Sequence, residues 1–322
     1  MALVCRAAVA ADRPGLFRLF EAAFGQPADP AMWEWKYDRN PHPAPSVVGL
    51  LDGEIVGFFG GVGTRYRGEG GNLPGVAAAD VMTHPRHRHL GRVSVFVETG
   101  LEFFREAAAA GAPFVFGFPN ERARLVGERS LDYRSVEKAG LWARAVGSPS
   151  LLGRIRRRWL RPRTGTRFSA GHDGLAEGLH ARPGWRTDRS RTTLDWRYAP
   201  HAGAEYRIVE LLDGRAASRG YAAVRLSGER ALLVDLQVRK EASGDVGDLL
   251  EAVRAALDGS GASRMEFRAA SPSRLATRLA GEFGFVPEAS DCHFEIRPLD
   301  PAVDAPAAGR AFDYRFADHE IF

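Results

Sequence analysis

Apolar residues along the chain alternate between helical and strand spacing. Leu3–Val9 is a short apolar run, and Asp12 with Pro14 opens a segment whose apolar residues fall at Leu16, Phe17, Leu19, Phe20 and Phe24. An Asp cap, Pro in the first turn and that spacing predict a helix, stopped by Gly25 and Pro27. Val47–Leu51, Asp52-Gly53 and Glu54–Gly63 read as strand, tight turn and strand, because Asp-Gly between apolar runs is a strong hairpin signal. Ala77–Met82 is a further strand, Gly91–Ala110 a long helix, Pro113–Phe118 a buried strand and Glu121–Arg129 another helix. That order predicts a mixed α/β layer.

The texture changes between about Pro149 and Pro183 to Arg, Gly, Pro and polar residues, as at a domain junction. Beyond it the first pattern returns. Trp196-Arg197-Tyr198 echoes Trp35-Lys36-Tyr37, and each is followed by a hairpin, turning at Asp213-Gly214 in one case and Asp52-Gly53 in the other. Val234-Asp235 then echoes Ala79-Asp80, with a helix over Val246–Leu257 and a strand over Met265–Arg268 to follow. Two halves of one architecture are expected, against a chance recurrence of three residues. The expected division is a first domain over 1–148, an Arg-rich linker over 149–185, a second domain over 186–300 and a tail over 301–322.

Composition narrows the classes. With 322 residues, 45% hydrophobic and 26% charged, the chain can bury real cores and is not disordered. No apolar run reaches the ~18 residues of a membrane span, and the N-terminal layout differs from a secretory signal. Only two cysteines are present, Cys5 and Cys292, far apart, so a reducing, cytoplasmic setting is expected. The net charge of +4 is local: seven arginines between Arg154 and Arg167 account for it, and without them the balance is −3. Only three of the 44 basic residues are lysines, Lys36, Lys138 and Lys240, which reads as coding bias and argues against a nucleic-acid partner.

The chemistry concentrates in His84-Pro85-Arg86-His87-Arg88-His89-Leu90-Gly91-Arg92-Val93, between a strand and a long helix. Unpaired amides at a helix N-terminus, at the positive end of its dipole, hold phosphates, and Arg88 and Arg92 add charge. A turn that merely reverses the chain, with solvated arginines, is the alternative. His84, His87 and His89 lack an accompanying carboxylate or cysteine cluster, so no metal is expected.

With these features the sequence resembles the GNAT superfamily of N-acyltransferases. The turn carrying Arg88, Gly91 and Val93 is similar to the family's Arg-x-x-Gly-x-Gly/Ala acyl-CoA pyrophosphate loop, with Val93 where a small residue is usual. Asn120 and Ala123 resemble the Asn-x-x-Ala opening of the family's next helix, and Phe283-Gly284-Phe285 resembles the Gly-Phe ending of that region in the second half. With Trp33 to Pro41 added, the chain looks like a tandem subgroup that includes sugar-nucleotide N-acyltransferases. The resemblance implies two tandem GNAT-like mixed α/β domains, the second degenerate because it lacks an Arg-x-x-Gly turn after Val238.

What the resemblance implies about chemistry is direct attack of an amine on an acyl-CoA thioester, acetyl-CoA or similar, in a ternary complex. Arg88, His89, Leu90, Gly91, Arg92 and Val93, the strand end Val81, Met82 and Thr83, and Asn120 are the implied coenzyme contacts. Asp80 is the first candidate to take the amine's proton, with a strand-end carboxylate bonding a loop as its alternative. Asp318, Glu320 or the Phe322 carboxylate in the aromatic–polar tail is the second choice, against a tail that only packs. The tyrosine with which many relatives protonate the thiolate falls on Gly127, so that acid is absent, and Tyr133 at the helix exit suits packing. Trp33, Trp35 and Tyr37 are candidate contacts to the acceptor, or core.

The expected function is transfer of an acyl group from CoA to a primary amine of a small molecule, an amino sugar or sugar nucleotide by resemblance. Two rivals stand beside it. One is an aminoacyl-tRNA-dependent transferase of peptidoglycan precursors with the same fold; the other is a binding protein that kept the fold without catalysis.

Overall fold

A computed structural model describes residues 3–68, 71–88, 94–147, 161–198, 204–241, 244–270 and 273–319. The chain divides into two units. Met1–Tyr66, Gly70–Glu137 and Cys292–Arg310 form the first, and Arg67–Glu69, Lys138–Asp291 and Ala311–Phe322 the second.

The strands are β1 (Leu3–Ala7), β2 (Val47–Leu51), β3 (Glu54–Gly68), β4 (Gly71–Thr83), β5 (Phe114–Gly117), β6 (Arg134–Lys138), β7 (Gly140–Ala145) and β8 (Arg161–Gly165). They continue as β9 (Trp185–Thr187), β10 (Tyr206–Leu212), β11 (Ser218–Ser227), β12 (Arg230–Val238), β13 (Arg264–Ala269), β14 (Val286–Glu288) and β15 (His293–Pro298). The first unit carries a sheet in the order β1-β2-β3-β4-β5-β15-β6. Strand alternation sends neighbouring residues to opposite faces. Phe58 joins Leu16 and Leu19 of the helix Arg13–Phe24, together with Trp33, Val48 and Met82. Phe59 turns the other way, to Phe103 and Phe104 of the helix Val95–Ala109, with Val76 and Val115. The Asp52-Gly53 turn is as expected, both residues at positive φ, and Gly25 ends the first helix in the left-handed region.

The second unit repeats this plan. Its sheet runs β8-β10-β11-β12-β13-β7-β14, and the parallel pair β12–β13 stands where β4–β5 stands in the first sheet. The echo noted in sequence is therefore structural. One exchange accompanies it. β15, late in the chain, is the antiparallel neighbour of β5, whereas β7, from the first half, is the antiparallel neighbour of β13. Each sheet thus takes its sixth strand from the other half of the sequence.

This differs from the division expected at 148, 185 and 300. Local periodicity identifies a strand but not the sheet it joins, so neither crossing was visible. Residues 161–185, expected within the linker, hold β8, paired to β10, and the helix Asp173–His180. Residues 148–160 lie outside the described residues. The long helix expected from Gly91 begins at Val95, where the Ser94 hydroxyl caps Val97 N–H. Among the described residues no helix is long and apolar enough to cross a membrane.

A buried phenol ties β4 to β5. Tyr66, fully buried, accepts from Val76 N–H at 3.3 Å and donates to the Phe114 carbonyl at 3.0 Å. Tyr66→Phe should therefore lower stability by about 1–3 kcal/mol, the cost of leaving a buried donor and acceptor unmet. Equilibrium urea unfolding measures it; an unchanged midpoint would mean that water replaces the hydroxyl.

Candidate functional site

The parallel pair β4–β5 opens after two residue pairs, Val76↔Val115 and Ala77↔Phe116. β5 ends at Gly117 while β4 runs on to Thr83, so its last residues extend past the end of their parallel neighbour. In that overhang Asp80 adopts φ 47°, in the left-handed region. Asp tolerates this conformation better than most residues, and such strain gathers at functional sites. The same place in the second unit carries a bulge, because the β11–β12 register shifts between Ala223 and Val224, opposite Asp235 and Leu233.

The Asp80 carboxylate is held from the segment that precedes β2. Lys36 Nζ lies 3.1 and 2.9 Å from its two oxygens and the Tyr37 hydroxyl donates to it at 2.6 Å. Consecutive residues of an α-helix point about 100° apart and would not converge on one carboxylate. Here Glu34–Asp38 forms a π-turn, closed by Arg39 N–H on the Glu34 carbonyl at 2.9 Å, and the wider turn brings both side chains to bear. Lys36 and Asp80 are largely buried, their side chains 7% and 15% exposed. Gly60 of β3 lets the layers meet: a Cβ there would strike the Tyr37 hydroxyl and stand 2.7 Å from the Ala79 carbonyl.

Of the residues expected to meet an acceptor, Trp33 packs 4.6 Å from Tyr37 and 5.5 Å from Phe58 between ring centroids, and Trp35 is buried. Trp33, Lys36, Tyr37, Asp38 and Phe58 line a cavity of about 210 Å³. Met82 points into the core beside Trp33, while Val81 and Thr83 are partly exposed. Arg88 is exposed at the end of the short turn Pro85–His87, which follows β4 directly. His89, Leu90, Gly91, Arg92 and Val93 lie outside the described residues, as do Glu320 and Phe322. Asn120 caps the helix Glu121–Leu131, its side-chain oxygen accepting from Ala123 N–H at 3.0 Å. His84 and His87 are 5.3 Å apart between ring centroids, and among the described residues no group of three or more His, Cys, Asp or Glu could hold a metal ion.

Asp318, the other carboxylate weighed as a base, belongs to a buried network in the second unit. Arg189 lies 2.8 Å from Asp318 and 2.8 Å from Asp235, and the Tyr221 hydroxyl donates to Asp235 at 2.6 Å. Thr187 and the Arg315 amide also donate to Asp318. At 2% side-chain exposure it is enclosed by its partners. The tail reaches this place because Trp185 of β9 bridges to Phe312 and Ala269 to Arg315. Asp235 is the counterpart of Asp80, and Tyr198 reaches it as Tyr37 reaches Asp80, at 3.4 Å. Arg197, at the place of Lys36, instead donates to the Ala317 and His319 carbonyls.

Lys36 was not among the expected site residues. Its signal was its rarity, one of three lysines in an arginine-rich chain, within the repeated Trp-basic-Tyr triplet.

Comparison with known proteins agrees with this geometry. Residues 5–128 match the family model of the acetyltransferase (GNAT) domain. No curated protein matches the chain in sequence. Among solved structures, a probable N-acyltransferase of unknown function from Enterococcus faecalis aligns at 12% identity over 93% of this chain and 73% of its own, with TM-score 0.68. A GCN5-related N-acetyltransferase from Anabaena variabilis aligns at 13% over 92% and 73%, with TM-score 0.70. A tandem GNAT protein from the clavulanic acid biosynthesis pathway aligns at 15% over 94% of this chain and all of its own, with TM-score 0.58. The expected tandem architecture is the one observed, whereas nothing in these comparisons supports the likeness to sugar-nucleotide enzymes in particular. Residues 5–128 of this chain thus match an acetyltransferase domain of the GNAT type.

Proposed function

We propose that the first unit transfers an acyl group, acetyl or similar, from CoA to the primary amine of a small molecule by direct attack. The observation that carries this reading is the overhang of β4 beyond β5, leading straight into the Pro85–His87 turn and Arg88 ahead of the Val95–Ala109 helix. Backbone groups of a strand that has lost its neighbour suit an extended amide-rich arm, and a basic turn before a helix suits its diphosphate. Val81, Met82, Thr83 and Arg88 are the described residues assigned to the coenzyme; His89 to Val93, also assigned to it, lie outside the described residues.

The acceptor is assigned to the cavity beside Trp33 and Tyr37. Asp80 is assigned the attacking amine's proton. It takes that proton as the carbon–nitrogen bond forms and the nitrogen becomes acidic. Asn120 is not assigned to the coenzyme, since its side-chain oxygen is spent on the helix cap, and Asp318 is not assigned a catalytic role.

A ligand bound only by the native state raises the melting temperature. Acetyl-CoA at about 100 times its dissociation constant should stabilise the protein by about 2.7 kcal/mol. Free thiol should appear when acetyl-CoA is mixed with the protein and a panel of primary amines. No thermal response to any acyl-CoA, together with no thiol release, would overturn the reading.

A further inference from the structure

Two buried polar atoms of the first unit have no hydrogen-bond partner, and they belong to two residues that pack against the same glycine. They are Glu295 Oε2, on β15, and the Tyr133 hydroxyl, just past the helix Glu121–Leu131. A Cβ on Gly127 would stand 3.6 Å from Glu295 Oε1 and 3.2 Å from the Tyr133 ring. Both residues therefore pack against Gly127, where a side chain would crowd the Tyr133 ring. Glu295 is 5% exposed. A buried carboxyl without a partner is costly, and natural structures keep few such groups without a reason.

The location supplies the reason. Glu295 is registered against Gly117, the last residue of β5. A Cβ on Gly117 would stand 4.0 Å from Glu295 Oε1 and 3.9 Å from Ala78, the first β4 residue beyond the last parallel pair. The carboxyl thus sits beside the point where β4 and β5 part, with Gly117 in place of a side chain between it and Ala78. We propose that Glu295 donates the proton to the departing thiolate in the transfer reaction, a role that rests on the acyltransferase reading above.

The step balances. The amine lone pair forms the carbon–nitrogen bond, the carbon–sulfur pair leaves on sulfur, and sulfur takes the Glu295 proton. The amine's surplus proton passes to the base and then to water, and Glu295 is reprotonated from water. The carboxyl is in the right state for this. Burial pushes its pKa from 4.5 up to about 8, with Glu128 adding to the shift and Arg124 opposing it. The other groups near it are Tyr133 and Arg297, which acts on that phenol, while His293 on the same strand is paired with Glu121 at 2.7 Å. Glu295 consequently holds its proton at neutral pH and loses it as the pH rises through about 8.

The test compares acetyl-CoA with an acetyl thioester whose thiol is more acidic, such as an acetyl arylthiol, in the full chain. With acetyl-CoA, kcat should fall above about pH 8, and Glu295→Gln should lower the neutral-pH kcat roughly 10²-fold, the low end for a general acid, because a thiolate leaves readily. With the arylthio donor, which needs no acid, the defect should shrink to a few-fold. If Glu295→Gln fails to fold, the wild-type protein alone suffices: its alkaline limb should be present with acetyl-CoA and absent with the arylthio donor. Equal losses with both donors, a kcat within two-fold of wild type in Glu295→Gln, or the same limb with both donors would overturn the proposal while leaving acyl transfer intact. A wild type that releases thiol from neither donor would overturn both readings.

Discussion

Replacing Arg189 by methionine is expected to prevent the second unit from folding at ordinary temperature. Arg189 is 4% exposed and stands between Asp235 and Asp318, 2.8 Å from an oxygen of each. Without it two buried carboxylates lose the guanidinium that bridges them, and only the charge of Arg315, which acts on Asp235, is left to offset them. Breaking one buried pair costs about 3–5 kcal/mol. One guanidinium serves two acids here, so the loss is comparable to the roughly 5–15 kcal/mol that stabilises a whole domain. The triple variant R189M/D235L/D318L should recover much of it, because an apolar replacement carries no desolvation penalty. Urea unfolding followed by tryptophan fluorescence and circular dichroism compares them. A single variant with the wild-type midpoint would show that water reaches both carboxylates.

The second large effect is expected at Asp80, where stability and activity should come apart. Asp80→Ala leaves the Lys36 ammonium, 7% exposed at its side chain, without its nearest acid, for about 3–5 kcal/mol. Asp80→Asn keeps a side chain that tolerates the φ of 47° and can still meet Tyr37, so it should fold at a smaller cost. Its amide cannot accept the amine's proton, and kcat should fall about 10²-fold or more. Lys36→Met in the Asp80→Asn background should recover stability without activity. Steady-state thiol release and urea midpoints, measured on the wild type and all three variants, check both halves. An Asp80→Asn variant with full kcat would leave Asp80 as a clamp for the π-turn only.

These two carboxylates show what the sequence makes legible. Asp80 and Asp235 stand at matching places in the two halves, and the Trp-basic-Tyr triplets upstream announce the tyrosine that reaches each. Short-range signals of that kind, a cap, an Asp-Gly turn or an apolar alternation, depend on a few neighbouring residues and survive reading along the chain. The π-turn does not. One extra residue per turn leaves the apolar pattern intact and only redirects Lys36 and Tyr37. Ser94 is an intermediate case, a recognisable cap passed over because Gly91 drew the helix start towards the basic turn. Glu295 was invisible for a topological reason. Its strand, in the second half by position, lies beside β5, and no local property of His293–Pro298 names that partner.

The crossed strands set an order of assembly. During synthesis from the N-terminus, β1 to β6 emerge long before β15, so a gap between β5 and β6 waits for residues 293–298. β7 emerges early and waits for β13 to be made. The first sheet cannot close until residues 293–298 emerge, after every strand of the second has been made, and until then the nascent chain carries open sheet edges, the kind of surface on which chaperones act and aggregation begins. A gene cut at the apparent boundary near residue 148 would yield fragments that each lack a central strand, and that complement one another only when expressed together.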